Sequence, residues 1–133
     1  MKRLFLILVL VLSSTPAIGE WTVLDSPYQS PSLRTIYIDP ATIRHDGQFV
    51  TLSELRDYRW QQGGITGRRF QSSMSQKQLD CQTRQYRLLT HRDFAGPMGT
   101  GGAENGIVEL NAWHAIEPES MNHTLWEILC KSP

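Results

Sequence analysis

The sequence predicts an α+β domain: an antiparallel β-sheet of about six strands, a C-terminal α-helix packed on one face of it, and one disulfide. Three observations lead there. Stretches of β-branched and aromatic residues recur through residues 20–116, one stretch of helical periodicity follows them, and the only two cysteines sit in a chain that opens with an export signal. Strands gathered ahead of a single helix suit an antiparallel sheet, because parallel strands need a crossover segment between each pair.

Met1-Lys2-Arg3 is a short basic start, residues 4–12 are wholly apolar, and the stretch to Gly19 ends in small residues where a signal peptidase reads. Residues 1–19 therefore read as a signal peptide and residues 20–133 as one domain. The apolar run is less than half of the roughly 20 residues a membrane-spanning helix needs. The mature protein is expected to be soluble and either periplasmic or extracellular, with no transmembrane segment. No cysteine follows the apolar run, so a lipid-modified N-terminus is not expected. In an oxidising compartment two cysteines read as one intramolecular bridge, Cys81 to Cys130.

Residues 20–25 form the first predicted strand, broken by Pro27 and Pro31, and residues 33–38 form the second. Asp39-Pro40 then has a capping carboxylate before a proline, which predicts one helical turn over 39–43. Asp46-Gly47 is a turn signal, and residues 48–58 follow as the third strand. Its apolar positions, Val50 and Leu52 and then Leu55 and Tyr58, change face midway, as at a bulge or a change of register. Residues 61–67 form a polar, glycine-rich loop. Residues 70–80 and 85–94 are two further strands, joined at a corner around Cys81 to Arg84 that has no glycine. The five glycines of 95–106 mark a connecting loop or irregular hairpin tip, and a last strand is predicted over 107–116. Pro118-Glu119-Ser120 opens the helix, with proline and an acid favoured in its first turn. Met121, Leu125, Ile128 and Leu129 form its apolar face, while Trp126 and Cys130 share its flank.

The full chain is formally neutral, which argues against a nucleic-acid binder. The charge is nevertheless segregated: residues 56–92 hold eight basic and two acidic residues, and both flanks are acidic. Arg56, Arg59, Arg68, Arg69, Lys77, Arg84, Arg87 and Arg92 are interleaved there with Tyr58, Trp60, Phe70 and Tyr86. Arginine forks match sulfate, phosphate and carboxylate, and aromatic faces stack on rings or cations. Arg68, Arg69, Arg84, Arg87 and Tyr86 are therefore candidate contacts for an acidic glycan, a lipid head group or an acidic protein surface. The alternative is a solvated sheet face whose arginines pair with the acidic C-terminal third. By strand alternation Arg84 and Arg87 point to opposite sides of the sheet, so they do not share one site.

Signals for catalysis are weak. His45, His91, His114 and His123 have no local metal-pair spacing, and no G-x-S-x-G elbow or phosphate loop is present. The expectation is a non-enzymatic protein without a cofactor or metal. The alternatives are a small hydrolase or a metal- or haem-binding protein built on His91, Asp93 or His114, and a structural envelope protein.

Trp21, Tyr37-Ile38-Asp39 before Ile43, Gly47 before a strand ending in Asp57-Tyr58, Ser72-Ser73, and Asp80-Cys81 with Arg84 and Arg87 form an ordered series. Trp113 with Ile116, Pro118-Glu119-Ser120 and Leu129-Cys130 complete it. In this order the chain resembles the surface-adhesin protein E-like family. The resemblance implies a small exported bacterial domain with an antiparallel sheet, a C-terminal helix and a disulfide between them. It also implies an adhesin-like role, since the best-known member binds host matrix and serum proteins and has been linked to haem. The chain departs from that member in lacking a lipid-anchoring cysteine, and Glu119 replaces the usual glycine before the helix. The matching residues are scaffold, so no ligand-contacting residue is carried over.

Overall fold

The computed structural model describes residues 20–63 and 68–131. The predicted signal peptide lies outside them, as does the 64–67 part of the predicted glycine-rich loop. Seven strands and one helix follow in order: β1 (Thr22–Val23), β2 (Arg34–Asp46), β3 (Phe49–Gly63), β4 (Arg69–Asp80), β5 (Gln85–Phe94), β6 (Ala103–Asn105), β7 (His114–Ala115) and α1 (Met121–Cys130). Strands β1 to β6 lie side by side in chain order, all antiparallel, and β7 pairs with the opening residues of β5. The fold class read from the sequence is thus the observed one, including the Cys81–Cys130 disulfide.

One face of the sheet carries the main core. Ile36, Ile38, Val50, Leu52 and Leu79 meet Leu125, Trp126 and Leu129 of α1. The turn between β2 and β3 is made by Gly47 at φ 59, a left-handed conformation that costs glycine little. The corner after β4 lacks a glycine, and Arg84 takes the left-handed position itself at φ 53. Asp80 steadies that corner by accepting the Gln82 and Thr83 amides at 3.0 and 3.2 Å.

Five local expectations are corrected. Residues 39–43 form no helical turn; β2 runs through them with an irregularity between Asp39 and Arg44. Asp39 accepts the Ala41 amide, and the Thr42 hydroxyl donates to the Asp39 carbonyl while accepting the Ser53 amide. Beyond the two residues paired with β1, β2 is an edge, where a proline and an unpaired residue are tolerated. The predicted strand over 107–116 shrinks to His114–Ala115. The chain before it crosses the outer face, held by Arg87 on the Leu110 carbonyl and by Trp113 against Phe49.

The face change in β3 is neither a bulge nor a slip, since pairing with β4 is continuous from Phe49 to Asp57. Leu55 instead fills a second, smaller core on the outer face with Met74, beneath the turn at Pro97–Gly99. Ser72 bolts that turn down by donating to the Gly96 carbonyl at 2.7 Å and accepting the Gly99 amide at 2.8 Å. Gly99 has φ 72, and an added Cβ would lie 3.1 Å from the Met74 sulfur. Gly99→Ala should therefore cost about 1–2 kcal/mol in urea denaturation; an unchanged midpoint would show that the turn adapts.

The helix begins three residues later than expected, at Met121 rather than Pro118. Ser120 is its N-cap and accepts the His123 amide at 3.1 Å, so Pro118 and Glu119 precede it, with Glu119 at φ 56. Its buried stripe is turned toward Trp126, and Ile128, expected inside, is 45% exposed. The disulfide at Cys130 sets that rotation, because Trp126 one turn earlier lies on the same side. The indole N–H donates to the Cys81 carbonyl at 3.2 Å.

Candidate functional site

A row of charge crosses the inner face where α1 begins. Val50 and Leu52 point inward on β3, so period-two alternation carries Glu54 and Arg56 inward as well. The same rule places Lys77 inward from Leu79 on β4. Leu52 opposes Lys77 and Glu54 opposes Ser75, so Glu54 and Lys77 are diagonal neighbours. Both are almost fully buried, at 2% and 1% exposure. The Lys77 ammonium donates to Glu54 Oε2 and to Asn122 Oδ1, each at 2.6 Å, and Arg56 Nε donates to Glu54 Oε1 at 3.1 Å.

Burial works against the Glu54 charge, but Lys77 and then Arg56 outweigh it and hold the carboxyl below its ordinary range. The partners do not gain equally. Burial pulls the Lys77 ammonium below the ordinary lysine range, and its one carboxylate is shared with Arg56. Burial likewise opposes the Arg56 charge, yet Glu54 raises it above the usual value.

Further along β4 and β5, beyond the reach of α1, a second polar network replaces apolar packing. Ser75 Oγ lies 2.9 Å from His91 Nδ1, His91 Nε2 lies 3.0 Å from Asp93 Oδ1, and Ser73 donates to that same oxygen at 2.7 Å. The pairs Ser75–His91 and Ser73–Asp93 face one another across the ladder. Serine, histidine and acid are thus assembled. The serine, however, lies in a regular strand rather than on the strained turn of a nucleophile elbow. The network is a cross-strand brace. Among the described residues no three His, Cys, Asp or Glu side chains are grouped as for a metal ion.

The basic residues singled out in the sequence divide between opposite ends of β4. Arg68 and Arg69 stand at its start and, with Phe70, Asp93 and Glu104, line a groove of about 230 Å3. Arg68 pairs with Glu104 at 3.6 Å, both well exposed. Arg59 and Trp60 belong to the same end, and Trp60 is 65% exposed. Arg84 stands past the other end, and Arg87 lies near that end opposite Gln78. Arg84 lies 4.2 Å over the Trp126 ring on the helix side. Arg87 lies on the outer face 4.6 Å over Trp113, and donates to Gln78 and to the Leu110 carbonyl. Tyr86 packs against the core, with its ring 5.2 Å from the Lys77 ammonium and 5.4 Å from His114. In the sequence Lys77 reads only as one of the basic stretch and Glu54 is not singled out; strand alternation places both inward, but only the β3–β4 register brings them together.

The fold has solved counterparts. The chain is similar to Haemophilus influenzae protein E, with 16% identity and a TM-score of 0.59 over 84% of this chain and 93% of that one. A second crystal form gives 17% identity and a TM-score of 0.58, covering 83% and 96%. Protein E from non-typeable Haemophilus influenzae gives 16% and 0.53, covering 84% of each chain. At this identity the likeness shows the fold alone. No match was found among curated proteins. The sequence profile of surface-adhesin protein E matches residues 21–131, almost the whole described domain, and the chain therefore belongs to the surface-adhesin protein E family.

Proposed function

We propose that residues 20–133, freed of the signal peptide, act in the periplasm or outside the cell as a non-enzymatic binding domain for an acidic macromolecule. A glycan, a lipid head group or a protein surface would each supply the anionic groups. The observation that carries this reading is Trp60, 65% exposed at the β3–β4 end, where Arg59, Arg68 and Arg69 are also found. An exposed aromatic among arginine forks can stack on a ring while the forks take its anionic groups. Arg84 and Arg87 contribute less, because each is already stacked on a tryptophan of its own chain.

Retention on a sulfated-polysaccharide matrix tests the assignment. Arg68→Ser with Arg69→Ser should weaken binding by about tenfold or more, at roughly 1 kcal/mol per charged contact. The loss should shrink as salt screens the contact. Arg84→Ser with Arg87→Ser should have the smaller effect. Equal retention of wild type and the Arg68/Arg69 variant would refute the site.

A further inference from the structure

The cavity at the start of α1 holds more hydrogen-bond donors than its own acceptors use, and we infer that it is a binding site for a single phosphate or sulfate group. It has a volume of about 260 Å3 between sheet and helix, and Arg34, Arg56, Lys77, Glu54, Glu119 and Asn122 contribute to its walls. It is distinct from the β3–β4 end assigned to the macromolecular partner.

The donor count is lopsided. An arginine offers five N–H groups and a lysine three. Each Glu54 oxygen already accepts one bond, from Arg56 Nε and Lys77 Nζ, and Asn122 Oδ1 accepts a second from Lys77. Arg56 gives a carboxylate only its Nε–H. Among the described residues the Arg34 guanidinium has no hydrogen bond or ion pair, and Glu119 has no ion pair. Three cations thus face two carboxylates, and Glu54 already accepts a bond at each of its oxygens.

Strand register brings the free donors together. Arg34 opposes Tyr58 and Ile36 opposes Arg56, which sets Arg34 and Arg56 diagonally on one face of adjacent strands, within reach of long side chains. Lys77 supplies a buried positive charge on the next strand. Two guanidinium forks from separate strands, with an ammonium behind them, do not offer their donors in one plane. That arrangement suits a tetrahedral oxyanion better than a planar carboxylate.

The test titrates the purified protein with inorganic phosphate, sulfate and acetate at constant ionic strength, following the arginine Nε–H and Asn122 amide NMR signals. Phosphate and sulfate should give saturable shifts at Arg34, Arg56 and Asn122, with acetate at least about tenfold weaker. Arg34→Gln removes a side chain that no other depends on, and should weaken phosphate binding by about tenfold or more. Arg44→Gln, at the other end of β2 from Arg34, should leave phosphate affinity unchanged. Shifts that do not saturate, undiminished affinity in Arg34→Gln, or acetate binding as tight as phosphate would each overturn the inference. None of these outcomes bears on the polysaccharide test at Arg68 and Arg69.

Discussion

Lys77→Ala should cost about 3–5 kcal/mol of folding stability, because it strips a buried carboxylate of its closest partner. Glu54 would keep only Arg56 at 3.1 Å, and Asn122 would lose the donor that ties the start of α1 to β4. The double variant Glu54→Leu with Lys77→Met should recover most of that loss, since a packed apolar pair avoids the desolvation of two charges. Urea unfolding of the three proteins provides the comparison. A double variant no more stable than Lys77→Ala would mean that the lysine acts by some route other than compensating Glu54. Acid should bring wild type and the double variant closer together. Glu54 lies below its ordinary 4.5, as does Asp80 below its ordinary 3.8. For Asp80 burial opposes the charge, but hydrogen bonds from the Thr83 amide, Gln48 and the Gln82 amide outweigh it. A depressed folded value means that the stabilisation is complete above the ordinary value and is lost as pH falls through the folded one. Wild type should therefore weaken as pH drops below about 4.5, and the double variant, lacking Glu54, should weaken less over the same range.

Cys81→Ser with Cys130→Ser should cost about 4 kcal/mol, the chain-entropy value for a loop of this length. The bridge spans 49 residues in sequence, with a Cα–Cα distance of 5.4 Å. Such a loss is a large share of the 5–15 kcal/mol typical of a domain. The Lys77–Asn122 bond and the apolar stripe of α1 remain, so the helix should stay docked at low urea and the far-ultraviolet spectrum should be largely kept. A spectrum that loses its helical signal without denaturant would show that the bridge, rather than the stripe, holds α1 in place.

The sheet was legible because period-two alternation and turn chemistry agree over most of its length. Gly47 and the boundaries of β5 follow directly from them. What was not legible has particular causes. Asp39-Pro40 is both a helix-start signal and an edge-bulge signal, and only the shortness of β1 decides between them. Leu55 interrupts an inward pattern because the outer face has a core of its own, closed by a turn some 40 residues later in the chain. Glu54 and Lys77 were hidden because charged residues are almost never fully buried unless paired, and their pairing is a matter of register between strands. The brace of Ser73, Ser75, His91 and Asp93 likewise needs the β4–β5 register. The arginine cluster was read from composition, which cannot tell that Arg84 and Arg87 are stacked on tryptophans of distant segments.

Strand β3 has 15 residues and α1 has 10, which corresponds to roughly 50 Å of sheet beside about 15 Å of helix. The elements that make the chain fold, namely the bridge, the indole and the apolar stripe, are concentrated along one part of a long lever. The far end of β3, from Arg59 to Gly63, and the start of β4 lie past them. Residues 59–63 and 68–70 take no part in the main core, so substitutions there are free to accumulate while the scaffold persists. A fold with such a division of labour can pass through many partners in evolution without having to be rebuilt for each.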